Sequence, residues 1–310
     1  MEIFITLFIK LIPLYLIIFL GYIAAKKLQA QKETIGKLLM YIIAPVMIFY
    51  GSYTVELELT HLSLPVLFFV VCSCIALLFL RIGTIIFKQD STKNILAFTA
   101  GAGNTGYFGL PVVLTLLGEQ AFSLAVMAIL GFILYENTVG FFIAANGSHT
   151  AKESFIKVIK LPTVYAFIIG LLLNALHIPL GELVTTTVSS FKGAYTVLGM
   201  MIIGMGLATV TMKHIDITFI TLSFIAKFFC WPLIMGGIIF IDTMFIHAYS
   251  IQIHQLFIFM AIVPLAANTV TVATECKVHP DKAALAVVLS TLFALFYIPF
   301  MTSIFIGLPS

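Results

Sequence analysis

Residues 97–118 read AFTAGAGNTGYFGLPVVLTLLG. The stretch is apolar and long enough to cross a bilayer as one helix, which takes about 20 residues. Its centre nevertheless holds several glycines, a proline and the polar pair Asn104 and Thr105, which are poor or indifferent helix formers. Because an interrupted backbone is tolerated at membrane depth only where it faces protein or a water-filled cavity, the stretch predicts a broken membrane helix beside a cavity.

A second stretch of the same kind lies at residues 257–275, which read FIFMAIVPLAANTVTVATE. Pro264 stands in its middle and is followed by Asn268, Thr269 and Thr271. A break frees the N–H groups of one half-helix and the C=O groups of the other, and the N-terminal end favours an anion. Two such stretches indicate a transport site. The alternative is that Gly and Pro only allow close helix packing.

Composition and charge place the chain in a membrane. It is 61% hydrophobic and 9% charged, with a mean hydropathy of +1.15, whereas soluble domains carry about 25% charged residues. Its 16 Lys and Arg residues lie in five clusters, apart from Lys10, Lys192 and Lys227. The clusters are Lys26 to Lys37, Arg81 to Lys93, Lys152 to Lys160, Lys213, and Lys277 to Lys282. The positive-inside rule places all five in the cytoplasm.

Each stretch between clusters is long enough for two membrane crossings, which take about 40 residues. The pattern therefore predicts an all-α polytopic membrane protein with ten transmembrane helices. The expected spans are residues 3–25, 36–55, 62–87, 94–117, 121–145, 155–176, 182–210, 215–241, 251–275 and 282–307. Because the basic loops are placed in the cytoplasm, we expect both termini outside the cell, and the even span count agrees with this.

The third basic cluster divides the chain into halves with five spans each. We expect a first five-helix repeat at residues 1–145, a cytoplasmic linker at 146–154 and a second repeat at 155–310. An odd number of spans in each half makes the two repeats inverted, and in inverted-repeat transporters the substrate site lies where broken helices meet. The two interrupted stretches are the fourth span of each half, so they are the expected crossover helices.

Two ionisable residues lie deep within expected spans. An ionisable group at this depth is costly and usually faces a cavity or a partner. Glu136, with Asn137 beside it, is therefore a candidate proton carrier, with a packed, hydrogen-bonded glutamate as the alternative. Lys227 has three possible roles: it attracts an anionic substrate, it pairs with Glu136, or it reaches toward an interface.

Several classes of protein find no support in the sequence. There is no phosphate-binding loop, dinucleotide fingerprint, HExxH pair or nucleophile elbow, and the four cysteines have no spacing typical of a disulfide framework or a metal site. We therefore expect neither an enzyme nor a cofactor, metal or nucleic-acid partner, and the expected coupling ion is H⁺ or Na⁺.

The chain resembles the compact bacterial members of the auxin efflux carrier family of membrane transporters over essentially its whole length. The resemblance rests on the segment APVMIFYG at residues 44–51, the run from Gly103 to Pro111, the region of Asn137, the Gly-rich end of span 7, the segment from Lys227 to Pro232 and the segment around Pro264. The long hydrophilic central loop of the plant members is missing, which disfavours auxin as the substrate.

The resemblance implies a fold like that of plant PIN transporters and bacterial bile-acid/sodium symporters. In that fold a scaffold domain and a transporter domain each mix helices from both repeats, and spans 4 and 9 cross at their broken points. Carried over by residue, the substrate site is lined by Asn104, Thr105, Gly106, Pro111, Pro264, Asn268 and Thr269. Gly109 and Thr271, in the same two stretches, complete the candidate set.

The leading hypothesis is a secondary active transporter of small organic anions. The resemblance implies malate-like or malonate-like carboxylates, with auxin-like acids as a further class, carried by an elevator movement. Proton coupling through Glu136 is expected, with sodium symport and uniport open. The alternative is a membrane receptor or sensor that binds a small acid without transport. An intramembrane enzyme would need a catalytic partner for Glu136 that the spans do not offer. We keep a homodimer as an expectation.

Overall fold

The computed structural model describes residues 2–88, 90–145, 159–208 and 215–305. Within these ranges the chain forms helices and short connections and no strand, so it is the all-α polytopic membrane protein expected from its sequence. The expected linker at 146–154 lies outside the described residues. The helices are α1 (Glu2–Lys27), α2 (Lys32–Thr54), α3 (Leu59–Phe87), α4 (Thr92–Gly101), α5 (Leu110–Asn137), α6 (Val139–Ala144), α7 (Pro162–Ala175), α8 (Glu182–Ala208), α9 (Ile217–Ile246), α10 (Ile251–Ile262), α11 (Asn268–Glu275) and α12 (Pro280–Phe305).

Within the described residues, seven helical stretches are long and apolar enough to cross a membrane, and Pro162–Ala175 and Ile251–Ile262 are shorter apolar helices. The longest stretch, Thr92–Ala144, has 53 residues; it includes a short break at residues 102–104 and covers the fourth expected span and residues 121–144 of the fifth. Gly118 interrupts it with a φ of 82°, a left-handed conformation that glycine adopts without steric cost. The count of ten spans stays a prediction.

Three prolines in the described spans follow a π-helical turn. The pairs are Leu39–Ile43 before Pro45, Thr105–Gly109 before Pro111, and Ala226–Cys230 before Pro232. A proline ring clashes with the preceding helical turn and offers no N–H, and a wider π turn relieves both conflicts. Each proline therefore stands in the first turn of a new α-helical segment, where a missing N–H costs nothing.

The helices pack in two groups. In the first helix group α1 lies along α8, and α2 lies along α7. Both approaches depend on glycines, because a Cβ at Gly204 would collide with the Ile18 carbonyl and a Cβ at Gly170 would collide with Ser52. Small residues at such crossings let membrane helices come close together. The second helix group comprises α3 to α6 and α9 to α12, with α3 packed on α4 and α5, and α9 on α4 and α12.

Helix α1 shows how the outer surface suits a bilayer. Leu7 and Leu11 are buried against the protein, whereas Ile9, Leu16 and Phe19 are each more than half exposed. A helix that is apolar on its outward face as well as its inward face is unfavourable in water and is typical of a membrane span.

Candidate functional site

The two predicted helix breaks meet in space. Residues 102–104 leave the helical conformation after α4, and residues 263–267 do so between α10 and α11. The Asn104 N–H donates a hydrogen bond of 2.9 Å to the Pro264 carbonyl. The two breaks thus satisfy one hydrogen-bonding group of each other, as unpaired backbone groups inside a membrane require.

The first break is shorter than the glycine-rich run suggests, because helical turns resume at Thr105, ahead of Pro111. The Asn104 carbonyl accepts a hydrogen bond of 2.8 Å from the Gly109 N–H, which closes the first π-helical turn ahead of the proline. The glycine-rich run is therefore mostly helical, and the true gap is short.

Side chains of the second helix group cap the carbonyl end of α4. The Trp231 indole N–H donates to the Ala100 carbonyl at 2.8 Å, and the Tyr135 hydroxyl donates to the Phe98 carbonyl at 3.1 Å. The last carbonyls of a helix have no partner within it, and Trp231 satisfies one of them. The Phe98 carbonyl already accepts from the Ala102 N–H, so Tyr135 adds a second hydrogen bond there; both aromatic residues are fully buried.

The N-terminal ends of the resumed helices face a shared cavity of about 240 Å³. Gly106 and Tyr107 line it from the first break, and Ala267 and Asn268 line it from the second. The first N–H groups of a helix are unpaired and carry partial positive charge. Two helix starts directed at one cavity favour a negatively charged ligand there.

Asn104 lies at the centre of this arrangement. It lines the cavity and is 4% exposed, and its side-chain Nδ2 has no hydrogen-bond partner among the described residues. Buried donors are almost always paired. Nδ2 is itself buried, so it is an unpaired donor in the wall of the cavity, suited to an acceptor on a ligand that reaches this wall.

Glu136 and Asn137 both line the cavity, although adjacent positions on a helix point about 100° apart. Glu136 Oε2 accepts a hydrogen bond of 2.9 Å from the Asn268 amide. The Asn137 amide donates back to the Ile133 carbonyl at 2.9 Å. Glu136 is thus tied to the second break, while the Asn137 donor is used within its own helix.

Lys227 lies behind the cavity and does not line it. Its side chain is fully buried, and Nζ donates to the Met260 carbonyl at 3.3 Å. Among the ion pairs of the described residues, none joins Lys227 to Glu136. The carbonyl end of α10 is therefore its partner, which none of the three expected roles anticipated.

The remaining predicted site residues divide between the cavity and its surroundings. Thr105, Gly106 and Thr271 line the cavity, and Gly109, Pro111, Pro264 and Thr269 are not among its lining residues. The sequence reasoning missed the contribution of the first helix group, which lines the cavity with Met40, Ala44, Met47, Ile48, Leu161, Thr163 and Tyr195. It also missed Glu275, which ends α11 and lines the cavity, although this acidic residue is the last one of the second interrupted stretch in the sequence.

The cavity extends toward the connections that hold Lys37, Lys160 and Lys277. Met40, Leu161 and Glu275 line it, and each lies within three residues of one of these lysines. We call this the basic side.

On the opposite side the two helix groups are in contact. Thr54 Oγ1 of α2 lies 2.7 Å from Ser123 Oγ of α5. Lys192 of α8 forms an ion pair with Glu119 of α5, and its Nζ lies 4.5 Å from the ring centre of Tyr50. We call Thr54, Ser123, Lys192 and Glu119 the closed seam, because they join the two groups where the cavity does not open.

A polar network ties together the connections of the second helix group on the basic side. Asp90 contacts His279 at 2.7 Å, and Lys282 contacts both Asp216 at 2.8 Å and Thr92 at 2.9 Å. The Thr92 backbone N–H, and with it the His279 ring, lowers the pKa of Asp90 to about 2. The connections before α4, α9 and α12 are thereby held together.

The substitution Asp90→Asn is expected to lower the thermal midpoint slightly at pH 7, since Asp90 is half-exposed and such pairs contribute little. A depressed folded pKa stabilises the fold above the unfolded value of about 3.9, and this contribution is lost as pH falls through about 2. The gap between wild type and variant, followed by thermal unfolding in detergent, should therefore close between about pH 4 and pH 2. Asp281→Asn controls for the loss of one surface charge. A gap that persists at pH 2 would contradict the assignment.

The chain is similar in sequence to known membrane transport proteins. The model of the family described as Membrane transport protein matches residues 6–156 and 146–302. An uncharacterized transporter of Methanocaldococcus jannaschii is 24% identical over 193 residues, which cover 60% of this chain and 63% of that protein's length. An uncharacterized transporter of Methanothermobacter thermautotrophicus is 22% identical over 278 residues, which cover 87% and 88%.

Proposed function

We propose a transport function on the premise that this chain belongs, as its sequence predicted, to the auxin efflux carrier family of membrane transport proteins. The chain is, in this proposal, a secondary active transporter of small organic anions that binds its substrate in the cavity between the two helix breaks. One observation carries the proposal: two helix N-termini and the unpaired Asn104 amide lie in the wall of the same cavity.

The substrate class is argued from the hydrogen-bond donors of the cavity, whose lining also includes the carboxyl residues Glu136 and Glu275. Helix N-termini, the Asn104 amide and the Thr105 hydroxyl are suited to carboxylate oxygens. The volume of about 240 Å³ is small beside the roughly 300–1,000 Å³ of drug-sized pockets. We therefore favour compact acids such as malate or malonate over larger, auxin-like acids.

Alternating access would come from movement of the second helix group against the first, in the manner of an elevator. In this proposal the cavity is open to the cytoplasm, where the positive-inside rule places the basic side, and the protein lies in the cell membrane with both termini outside. Opening to the other side would require the closed seam to separate.

Glu136 is the proposed coupling residue. Its contact with Asn268 links a protonatable group to the second break, and a carboxyl at membrane depth is suited to a proton relay. The alternatives to proton coupling are coupling to Na⁺ and uniport, in which no ion is coupled to transport.

The substitution Glu136→Gln is expected to abolish accumulation driven by a pH gradient while leaving exchange at equal pH largely intact. Glutamine keeps an oxygen for the Asn268 amide but carries no titratable proton. Uptake into proteoliposomes with and without a pH gradient measures the two activities, and Glu182→Gln, an exposed carboxyl at the start of α8, is the control. Accumulation that survives in Glu136→Gln would remove this residue from coupling.

The transporter proposal is tested by comparing binding with uptake. A thermal-shift screen of malate, succinate, malonate and indole acetate identifies binders, because a ligand stabilises the folded state by mass action. Labelled binders are then offered to proteoliposomes. Uptake supports a transporter, whereas binding without uptake would favour the receptor or sensor. A homodimer is a further prediction, which native mass spectrometry in detergent tests.

A further inference from the structure

We propose that the Lys227 side chain is a built-in cation of the broken-helix site and that transport by this chain therefore needs no Na⁺. In transporters with interrupted helices, unwound carbonyls and the C-terminal ends of half-helices coordinate the coupling cation. The inference rests on the proposed transport function, but it concerns a group behind the cavity.

The first step is the position of the amino group. Nζ of Lys227 donates to the Met260 carbonyl at 3.3 Å, and Met260 lies in the last turn of α10, just before the break. The carbonyl end of a helix carries the equivalent of about half a negative charge. An ammonium group placed there neutralises that end as a bound metal cation would.

The second step is the space around the amino group. Nζ lies 4.5 Å from the ring centre of Trp231 and 5.8 Å from that of Phe132, and ring faces attract cations. A Cβ built on Gly103 would stand 2.8 Å from Nζ, so the ammonium also lies directly against the first break. The volume between the two breaks on this side is taken by Lys227 itself.

The third step is the helix that supplies the group. Lys227 lies in the π-helical turn Ala226–Cys230, which is followed directly by Trp231. Lys227 contacts the end of α10, while Trp231 contacts the Ala100 carbonyl near the end of α4. One part of α9 thus caps both broken helices. Lys227 is a positioning residue rather than a substrate ligand, since it does not line the cavity.

The test begins with the unaltered protein. Uptake of labelled malonate and the thermal midpoint are measured in NaCl and in choline chloride at equal ionic strength. We expect both values to be the same in the two salts. A requirement for Na⁺ in uptake, or a higher midpoint specifically in NaCl, would overturn the inference without any variant.

Two substitutions then examine the position. Lys227→Met removes the charge and keeps an unbranched side chain, and it should lower the midpoint by about 5 °C or more and uptake by about tenfold. Lys227→Ala also opens space, so Na⁺ or ethylammonium should restore part of its midpoint relative to choline. Lys10→Ala, at an exposed lysine of α1, should show neither effect.

The opposing outcomes are separable from failure of the transport proposal. Wild-type behaviour of Lys227→Met, or a folded Lys227→Ala that neither cation stabilises, would contradict a cation position. If no carboxylate is taken up, the transport proposal fails, and the midpoints in the two salts still decide the role of Lys227. If Lys227→Ala does not fold, the wild-type comparison decides it.

Discussion

The double substitution Thr54→Cys and Ser123→Cys is expected to abolish carboxylate uptake under oxidising conditions, and reduction is expected to restore it. The two Oγ atoms are 2.7 Å apart, so cysteine sulfurs at these positions would lie close to the S–S bond length of about 2.05 Å. Thr54 belongs to the first helix group and Ser123 to the second, so the disulfide would hold the closed seam together. Since turnover requires the seam to open, uptake should fall by roughly two orders of magnitude.

The measurement is uptake into proteoliposomes before and after oxidation and again after reduction. The exposed Cys74 is replaced by alanine throughout, so that it does not form other disulfides. Each single cysteine substitution, treated with the same oxidant, should keep its uptake. Full uptake by the cross-linked protein would mean that the two helix groups do not separate at this seam, and the elevator proposal would be wrong.

The substitution Asn104→Ala is expected to weaken carboxylate binding by about tenfold to a hundredfold, because a hydrogen bond to a charged group contributes about 1.5–3 kcal/mol. Its Nδ2 has no partner among the described residues, so the free protein loses no hydrogen bond from that atom in the variant. Binding affinity, measured by titration calorimetry in detergent, should fall while the thermal midpoint without ligand changes little.

Asn137→Ala is the matched control for Asn104→Ala. Asn137 lines the same cavity, but its amide already donates to the Ile133 carbonyl. We expect a change in affinity of less than about threefold, the size of a minor contact. Equal losses of affinity in the two variants would show that the unpaired donor of Asn104 has no particular role. Unchanged affinity in both would mean that the carboxylate does not bind at the helix breaks.

The sequence predicted the fold well because the membrane imposes strong, local constraints. A glycine-rich run such as residues 101–109, or a proline followed by polar residues such as Pro264, disfavours a continuous helix. A proline alone does not decide the matter, since Pro13 and Pro299 lie inside continuous helices. Their matching places in the chain were enough to predict two broken helices. The expected boundary between spans 4 and 5, at residues 118–120, includes Gly118, where the structure interrupts the helix; the count of ten spans stays a prediction.

The candidate site could be predicted only in part, since several of its contacts join residues that are distant in the chain. Asn104, Asn268 and Glu136 were expected, and they do line the cavity. The partner of Lys227 was not foreseeable, because the Met260 carbonyl becomes available only through a break elsewhere in the chain. Tyr195 lies in an ordinary-looking helix, and only the packing of α8 brings it to the cavity.

Counterflow in proteoliposomes tests the central claim most directly. Vesicles that contain this protein are loaded with unlabelled malonate, diluted into trace labelled malonate, and compared with protein-free vesicles and with vesicles that contain the oxidised Thr54→Cys and Ser123→Cys protein. The account predicts transient accumulation of label with the wild type and none in the two comparisons. Tight malonate binding to the purified protein without any counterflow would contradict it, since the cavity would then bind a carboxylate but not carry it across.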